Sequence, residues 1–253
     1  MSKDFTLATY QLFLEAIVDQ GYSGCSYLDQ IQQNPSKFII LRQDVDKRPN
    51  NSLMTATLQA NMGLTATYYF RCVDSSFDPE IIRKIAGLGH EIGYHYEDLS
   101  LANGNVELAK EHFEEWLEKL KAFYPVQTIC MHGSPLSKID NRDIWNTLNY
   151  KEYGIVGEPY FDLDFNEVLY ITDTGRSWNN FKVSVRDKVN SKFNYEFKST
   201  FDLIQKINKG VLPNKIMQNI HPQRWTDNRL HWVSELIQQN SKNVVKKAIY
   251  VKK

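Results

Sequence analysis

The sequence has few cysteines and no long apolar run. Its three cysteines, Cys25, Cys72 and Cys130, are widely spaced, and none lies in a C-x-x-C pair. This pattern argues against a disulfide framework and against a thiolate zinc site. No stretch approaches the ~18 consecutive apolar residues of a membrane span. The N-terminus leads into a helical pattern rather than the apolar segment of a signal peptide. We therefore expect a cytoplasmic protein with reduced cysteines and no integral membrane segment.

The chain also lacks an excess of charge of one sign. Lys plus Arg and Asp plus Glu are equal, at 30 each. Because nucleic acids and acidic membranes attract clusters of basic residues, this balance gives no indication of either, and we expect no nucleic-acid partner. The aromatic content of 13% fits rings that stack on flat sugar faces, and it fits ordinary core packing equally well.

Strand-like and helix-like segments alternate along the chain, without an internal repeat or a Gly/Ser-rich linker. The pattern predicts one α/β domain over residues 1–253, with a parallel sheet or barrel. The irregular segment 150–199 is expected to form an elaborated loop region over the site. The main predicted strands are 38–41, 64–70, 91–95, 126–131, 168–171 and 216–220, and the main predicted helices are 9–18, 51–62, 106–123 and 201–207, with shorter or terminal ones from 79, at 144–148 and after 232.

Polar residues directly follow several of these strands, where parallel α/β folds place their sites. In an extended chain Asp44 and Asp46 point to one face, and so do His95 and Glu97. A single Asp at a strand end more often caps a helix, and a single His is more often structural. Five such places together favour a site for a divalent cation. They are Asp44 with Asp46, His95 with Glu97, His132, His221, and the segment Asp173 to Trp178.

The motifs resemble those of the polysaccharide deacetylase family (carbohydrate esterase family 4) from about residue 38 to residue 225. The most specific element is Gly-His-Glu-Ile-Gly-Tyr-His, residues 89–95, since the family has Gly-His-Glu-Ile-Gly before a metal-binding His. Asp44-Val45-Asp46 resembles the first motif, in its Asp-Val-Asp branch, and His221 matches the closing motif. The resemblance implies a distorted (β/α) barrel of the deacetylase type, with the site at the carboxyl ends of the strands.

The chain departs from the family pattern at two motifs. The second metal-binding His of the family falls at Leu99, so Glu97, Asp98 or His132 would have to replace it. Glu97 is favoured, because it shares a face with His95 in an extended chain. The family's Arg-x-Pro-Tyr motif appears only as His-Gly-Ser-Pro, residues 132–135, so the charge of its Arg would have to come from Arg42 or Arg176.

The resemblance implies an enzyme that removes an N-acyl group, most simply acetyl, from an amino sugar. One divalent ion, expected to be zinc, would be held by Asp46 and His95 with Glu97 or His132, while Asp44 would act as base and His221 as acid. The candidate substrate-binding residues are Tyr96, Asp173, Arg176, Trp178 and Trp225.

An intracellular member would meet a nucleotide-linked or lipid-linked amino sugar made for a bacterial surface polysaccharide, such as O-antigen or capsule. Two alternatives stay open. One is a catalytically silent member that binds a saccharide. The other is a different metal-dependent hydrolase on the same scaffold, which would act on a cyclic amide, a formyl group or a phosphate.

Overall fold

The computed structural model describes residues 3–133, 137–178 and 189–250, the last six of them as backbone only. Ser134 and Pro135 of the predicted third motif lie outside the described residues. The strands are β1 Ser23–Cys25, β2 Phe38–Val45, β3 Thr67–Phe70, β4 Glu91–Tyr96, β5 Ile129–Met131, β6 Leu169–Thr172 and β7 Lys215–Ile220. The α-helices are α1 Leu7–Asp19, α2 Tyr27–Gln33, α3 Pro49–Asn61, α4 Pro79–Gly87, α5 Asp98–Leu101, α6 Val106–Lys121, α7 Pro159–Asp162, α8 Thr200–Asn208 and α9 Arg229–Tyr250.

All strand pairs in the described residues are parallel, and the sheet has the order β5-β4-β3-β2-β7-β6. The short β1 lies beside the first half of β2, where Ser23 is opposite Phe38, and β3 lies beside the second half. The sheet curls into a half-barrel. The predicted α/β layout with a parallel sheet is therefore confirmed.

The two faces of the sheet follow from the alternation of side chains along each strand. On β2, Ile39, Leu41 and Val45 join the large apolar core under the helices. Phe38 and Ile40 point to the other face and pack in a smaller cluster inside the curl. Arg42 and Asp44 continue that inner row toward the carboxyl end of the strand. The inside of the half-barrel is therefore apolar at one end and charged at the other.

The helices that surround the sheet begin where the sequence provides caps. Asp78 accepts hydrogen bonds from the first turn of α4, which starts at Pro79, and Asn105 and Ser199 cap α6 and α8 in the same way. Such caps satisfy backbone N–H groups that have no partner within the helix. None of the helices in the described residues combines the length and the apolar character that crossing a bilayer requires.

Several elements differ from the prediction. A 3₁₀ helix, Asn141–Asn146, replaces the predicted helix at 144–148, and two further 3₁₀ helices occur at Tyr150–Tyr153 and Pro222–Arg224. Strand β1 was not predicted, because its three residues carry no apolar alternation. It lies against Leu64 so closely that a Cβ at Gly24 would be 2.8 Å from that side chain. The described part of 150–199 contains β6, which matches the predicted strand at 168–171, and also α7, which was not predicted, so it is more regular than a loop region.

Candidate metal centre

Three side chains from three parts of the chain meet at the carboxyl edge of the sheet. Asp46 lies just beyond β2, His95 lies on β4, and His132 directly follows β5. Their ligand atoms all lie within 4.8 Å of one another. Oδ1 of Asp46 is 3.7 Å from Nε2 of His95 and 3.6 Å from Nε2 of His132. The sheet therefore brings a carboxylate oxygen and two imidazole nitrogens to one point.

The second nitrogen of each imidazole is already engaged. Nδ1 of His95 lies 2.9 Å from the carbonyl oxygen of Cys130, and Nδ1 of His132 lies 2.8 Å from Oε2 of Glu97. Because a carbonyl and a carboxylate only accept hydrogen bonds, each Nδ1 carries the proton. Both Nε2 atoms then present lone pairs to the centre, which is the tautomer that a metal ligand requires.

The charges in the cluster suit a cation. Burial lowers the pKa of His95 to about 4, so that this imidazole is neutral at pH 7. Burial opposes ionisation of Asp46, but His221, His132 and His95 outweigh it and hold the pKa of this carboxyl well below its usual range. The centre therefore contains one charged carboxylate, that of Asp46, and one neutral imidazole, that of His95.

The surroundings of Oδ1 of Asp46 indicate whether a metal fits the cluster. This oxygen is buried and has no hydrogen-bond partner among the described residues, while Oδ2 accepts from Nε2 of Gln223 at 3.1 Å. An ionised oxygen that faces two imidazole lone pairs is unfavourable unless a positive group lies between them. Nitrogen and oxygen donors of this kind suit Zn²⁺ and related divalent ions. The residues present therefore fit a divalent metal.

Asp44 lies beside this cluster, fixed by a neighbour on its own strand. Arg42 donates from Nε to Oδ1 at 2.8 Å and from Nη2 to Oδ2 at 2.7 Å, and Asn219 donates to Oδ2 at 2.9 Å. Burial opposes ionisation of Asp44, but Arg42 and His95 outweigh it and lower its pKa to about 2. Of the two arginines considered for this charge, the structure brings Arg42 to the carboxylate. Arg176 instead stacks on the rings of Phe5 and Trp232.

His221 lies on the other side of the cluster, with Nε2 at 3.9 Å from Oδ2 of Asp46. Its Nδ1 is 2.7 Å from Oδ1 of Asp173, which also accepts from Arg224 at 2.5 Å. Burial and Arg224 disfavour the charged imidazole, but Asp173 and Asp46 outweigh them and raise the pKa of His221. Asp173, predicted to bind substrate, is fully buried and orients His221 instead.

The position of Glu97 corrects the preferred choice of third ligand. Strand β4 ends at Tyr96, and Glu97 adopts φ −144° and ψ 23° as the residue before α5. The alternation that would have placed Glu97 beside His95 stops at this point. Its carboxylate contacts Arg71 and the far nitrogen of His132, and the geometry brings His132 into the cluster in its place.

The predicted role of the aromatic residues in substrate binding is also corrected. Tyr96 and Trp225 have no exposed surface and Trp178 is 4% exposed. Tyr96 packs against Phe113 and Trp145, and the two tryptophans pack with each other. Side chains buried in this way cannot offer a ring face to a sugar. The guanidinium of Arg176 packs over the rings of Phe5 and Trp232.

Three residues around the centre were not identified from the sequence. Asn219, two positions before His221, and Arg71, which directly follows β3, could have been found as polar residues near strand ends. Gln223 donates to Asp46 from the 3₁₀ helix after β7, and no local pattern indicates it.

Comparisons of the chain with protein-family models, with curated proteins and with solved structures find no match. What the site can do is therefore deduced from its own residues. They comprise a carboxylate and two imidazoles that fit a divalent ion, a second carboxylate on one side, and an imidazole backed by a carboxylate on the other.

Proposed function

We propose that the protein is a metal-dependent hydrolase that removes an N-acyl group, most simply acetyl, from an amino sugar. The observation that carries this proposal is the cluster of Asp46, His95 and His132, with Asp44 and His221 flanking it. Oδ2 of Asp44 is 3.6 Å from Nε2 of His95, and Nε2 of His221 is 3.9 Å from Oδ2 of Asp46. A metal centre between a candidate base and a candidate acid is the arrangement that amide hydrolysis needs.

Asp46, His95 and His132 would hold the ion, through the carboxylate oxygen and the two Nε2 atoms that point to the centre. When bound, a divalent ion supplies polarisation of an acyl carbonyl and makes water easier to deprotonate. The chain contributes the preorganised geometry, because Cys130 and Glu97 fix the orientation of the two rings before an ion arrives.

Asp44 is assigned as the general base. The fork of hydrogen bonds from Arg42 keeps its carboxylate ionised and fixes its orientation, so Asp44 enters the reaction able to accept a proton from water. Arg42 thereby supplies the charge that the family pattern places in its third motif. Because Arg42 takes the place of the missing Arg, we favour an active enzyme over a silent saccharide-binding member.

His221 is assigned as the general acid. Asp173 accepts the hydrogen bond of Nδ1, which leaves Nε2 to donate a proton to the departing amine. The raised pKa of His221, caused by Asp173 and Asp46 against the effect of burial, increases the protonated fraction that an acid needs. Arg224 and Trp225 hold Asp173 in place through their own N–H groups.

The resemblance of residues 89–95 and of Asp44-Val45-Asp46 to the polysaccharide deacetylases supports the acyl amide as the bond that is cleaved. We also propose that the curled sheet is a distorted barrel of that family's type and that the protein is cytoplasmic. The substrate is then a nucleotide-linked or lipid-linked amino sugar on the way to a surface polysaccharide. The alternative is a different metal-dependent hydrolase on the same scaffold, which acts on a cyclic amide, a formyl group or a phosphate.

The test combines metal analysis of the purified protein with acetate release under one metal condition. The substrates are UDP-linked N-acetylated amino sugars, chitooligosaccharides and peptidoglycan fragments, with Asp44→Asn as the control. The proposal is supported if the protein releases acetate from nucleotide-linked sugars and if this release requires both stoichiometric metal and Asp44. Activity on the polymers alone would overturn the intracellular substrate. A protein without metal and without turnover would support the silent saccharide-binding alternative.

A further inference from the structure

We propose that Arg71 and Glu97 form a positioning pair that holds His132 as the third ligand of the metal centre. The inference rests on the metal site of the proposed function, but it assigns roles to two residues that contact no substrate. Glu97 acts through His132, and Arg71 acts through Glu97.

The carboxylate of Glu97 divides its two oxygens between these neighbours. Oε2 lies 2.8 Å from Nδ1 of His132, while Oε1 accepts from Nε of Arg71 at 2.6 Å. Nη2 of Arg71 is 2.5 Å from the same Oε1. The side chains of Glu97 and His132 are 6% and 14% exposed, so water competes little for these contacts. One oxygen therefore orients the imidazole, and the other is held by the guanidinium.

The sheet register brings these residues together. Val45 pairs with Phe70, and Tyr96 pairs with Met131. The residues that directly follow these four are Asp46, Arg71, Glu97 and His132. Two of the four are ligands, and the other two are the proposed pair. Since all four follow directly from paired strand residues, their contacts are a consequence of the fold rather than of a flexible surface.

His132 needs such support more than His95 does. His95 lies within β4, and Nδ1 of its ring is hydrogen-bonded to a carbonyl of the adjacent strand. His132 lies beyond the end of β5, where its backbone N–H donates to Tyr96 and its carbonyl accepts from Asn141. Those contacts fix the backbone but leave the ring free to turn. The carboxylate of Glu97 selects the ring orientation and the tautomer that direct Nε2 to Asp46.

Arg71 contacts one proposed ligand, Asp46, directly and the other, His132, through Glu97. Nη1 of its guanidinium donates to the backbone carbonyl of Asp46 at 3.4 Å, while Nε and Nη2 hold Glu97. A planar guanidinium can serve both directions at once, whereas a lysine ammonium cannot reproduce the fork. Loss of Arg71 should therefore loosen His132 through Glu97.

The test is a double-mutant cycle on zinc affinity, measured by competition with a chromophoric chelator and without any substrate. We expect Glu97→Ala to weaken Zn²⁺ binding ~10–100-fold, as losses of such supporting residues do. His132→Ala should weaken it further. The double variant should match His132→Ala, because Glu97 acts only through that ring.

Two results would overturn the inference while leaving the metal site intact. One is zinc affinity of Glu97→Ala within twofold of the unaltered protein. The other is a double variant whose zinc affinity is lower than that of His132→Ala by the full factor that Glu97→Ala shows alone. Glu97 would then be a ligand itself. If the unaltered protein binds no zinc, the proposed function fails instead. The outcomes are therefore distinguishable.

Arg71 is tested with Arg71→Met and Arg71→Lys in the same assay, together with the visible spectrum of the Co²⁺-loaded protein. Arg71→Met should weaken metal binding and alter the Co²⁺ bands, and Arg71→Lys should restore part of both. The matched control for Glu97→Ala is Glu235→Ala, which removes another buried carboxylate that pairs with a cationic side chain, Lys47 at 2.9 Å. An equal effect of this control would show that only the loss of a buried charge matters, and would contradict the inference.

Discussion

Arg42 and Asp44, two residues apart on β2, form a forked ion pair inside the half-barrel, with N–H···O contacts of 2.8 and 2.7 Å. Their side chains are 1% and 4% exposed. Both residues point to the inner face because side chains alternate along a strand. The candidate base and the charge that keeps it ionised therefore come from a single strand.

Arg42→Met should destabilise the fold and impair the base. It leaves the Asp44 carboxylate buried without its partner, and removal of one member of a buried pair costs ~3–5 kcal/mol. Urea unfolding measures this loss. Arg142→Met is the control, because Arg142 forms the same kind of fork with Asp140 but is 30% exposed. Equal losses in the two variants would show that burial of the Arg42 pair adds nothing.

The same pair gives a pH dependence of stability. The pKa of Asp44 is lowered from 3.8 to about 2 in the folded protein, chiefly by Arg42 and His95 against the effect of burial. The stabilisation is therefore present above the unfolded pKa and is lost as the pH falls through the folded one. Unfolding at pH 2 to 5 should show a shallower slope for Asp44→Asn than for the unaltered protein. Identical slopes would contradict the assigned pair.

Asp44→Asn should abolish turnover while it preserves the metal content. Loss of a positioned base typically costs ~10²–10⁴ in rate, and the three predicted ligands are untouched. Turnover and metal stoichiometry are measured on the same preparation. If metal and activity disappear together, Asp44 is a ligand and exchanges roles with Asp46.

His95→Ala should lower metal affinity at least ~10–100-fold, a factor seen even when only a supporting residue is lost. His95 contributes a lone pair from a fixed position within β4, so its loss removes one of the three candidate ligands. His231→Ala, on the exposed side of α9, is the control and should bind metal normally. Full metal occupancy in His95→Ala would exclude the proposed centre.

Glu158 should make the protein less stable as the pH rises from 4.5 to about 7. Burial raises its pKa from 4.5 to about 7, although backbone N–H groups, including that of Met131, oppose the shift. The folded state thus retains a proton that the unfolded state releases, so stability falls between pH 4.5 and 7 and levels off above. The difference in unfolding free energy between Glu158→Gln and the unaltered protein should grow by on the order of 3 kcal/mol from pH 5 to 8. A constant difference would contradict the raised pKa.

Much of the secondary structure of this protein could be predicted from local patterns. The apolar run of β2 and the caps of α4 and α6 are properties of short segments, and they specify where elements begin and end. Asp44, Asp46, His95 and His221 were found because each follows or ends a predicted strand. Parallel strands present their carboxyl ends at one edge, so these residues were expected to lie together, and the structure places them together.

Other features depend on contacts between distant segments, which no local pattern specifies. His132 enters the cluster and Glu97 moves behind it because β4 ends at Tyr96 and pairs with β5 in a particular register. Trp178 and Trp225 look like ligand-stacking residues in the sequence, but the packing of α1 against the loops after β6 and β7 buries them.

The sequence by itself therefore determined the class of fold and which residue types stand at the strand ends. Only the tertiary structure decided which of them face one another, because strand register and the end of each strand set distances between side chains. A shift of one residue reverses the face on which a side chain lies. The candidate third ligand, His132, depended on that register, whereas Arg42 meets Asp44 because the two residues lie two positions apart on one strand.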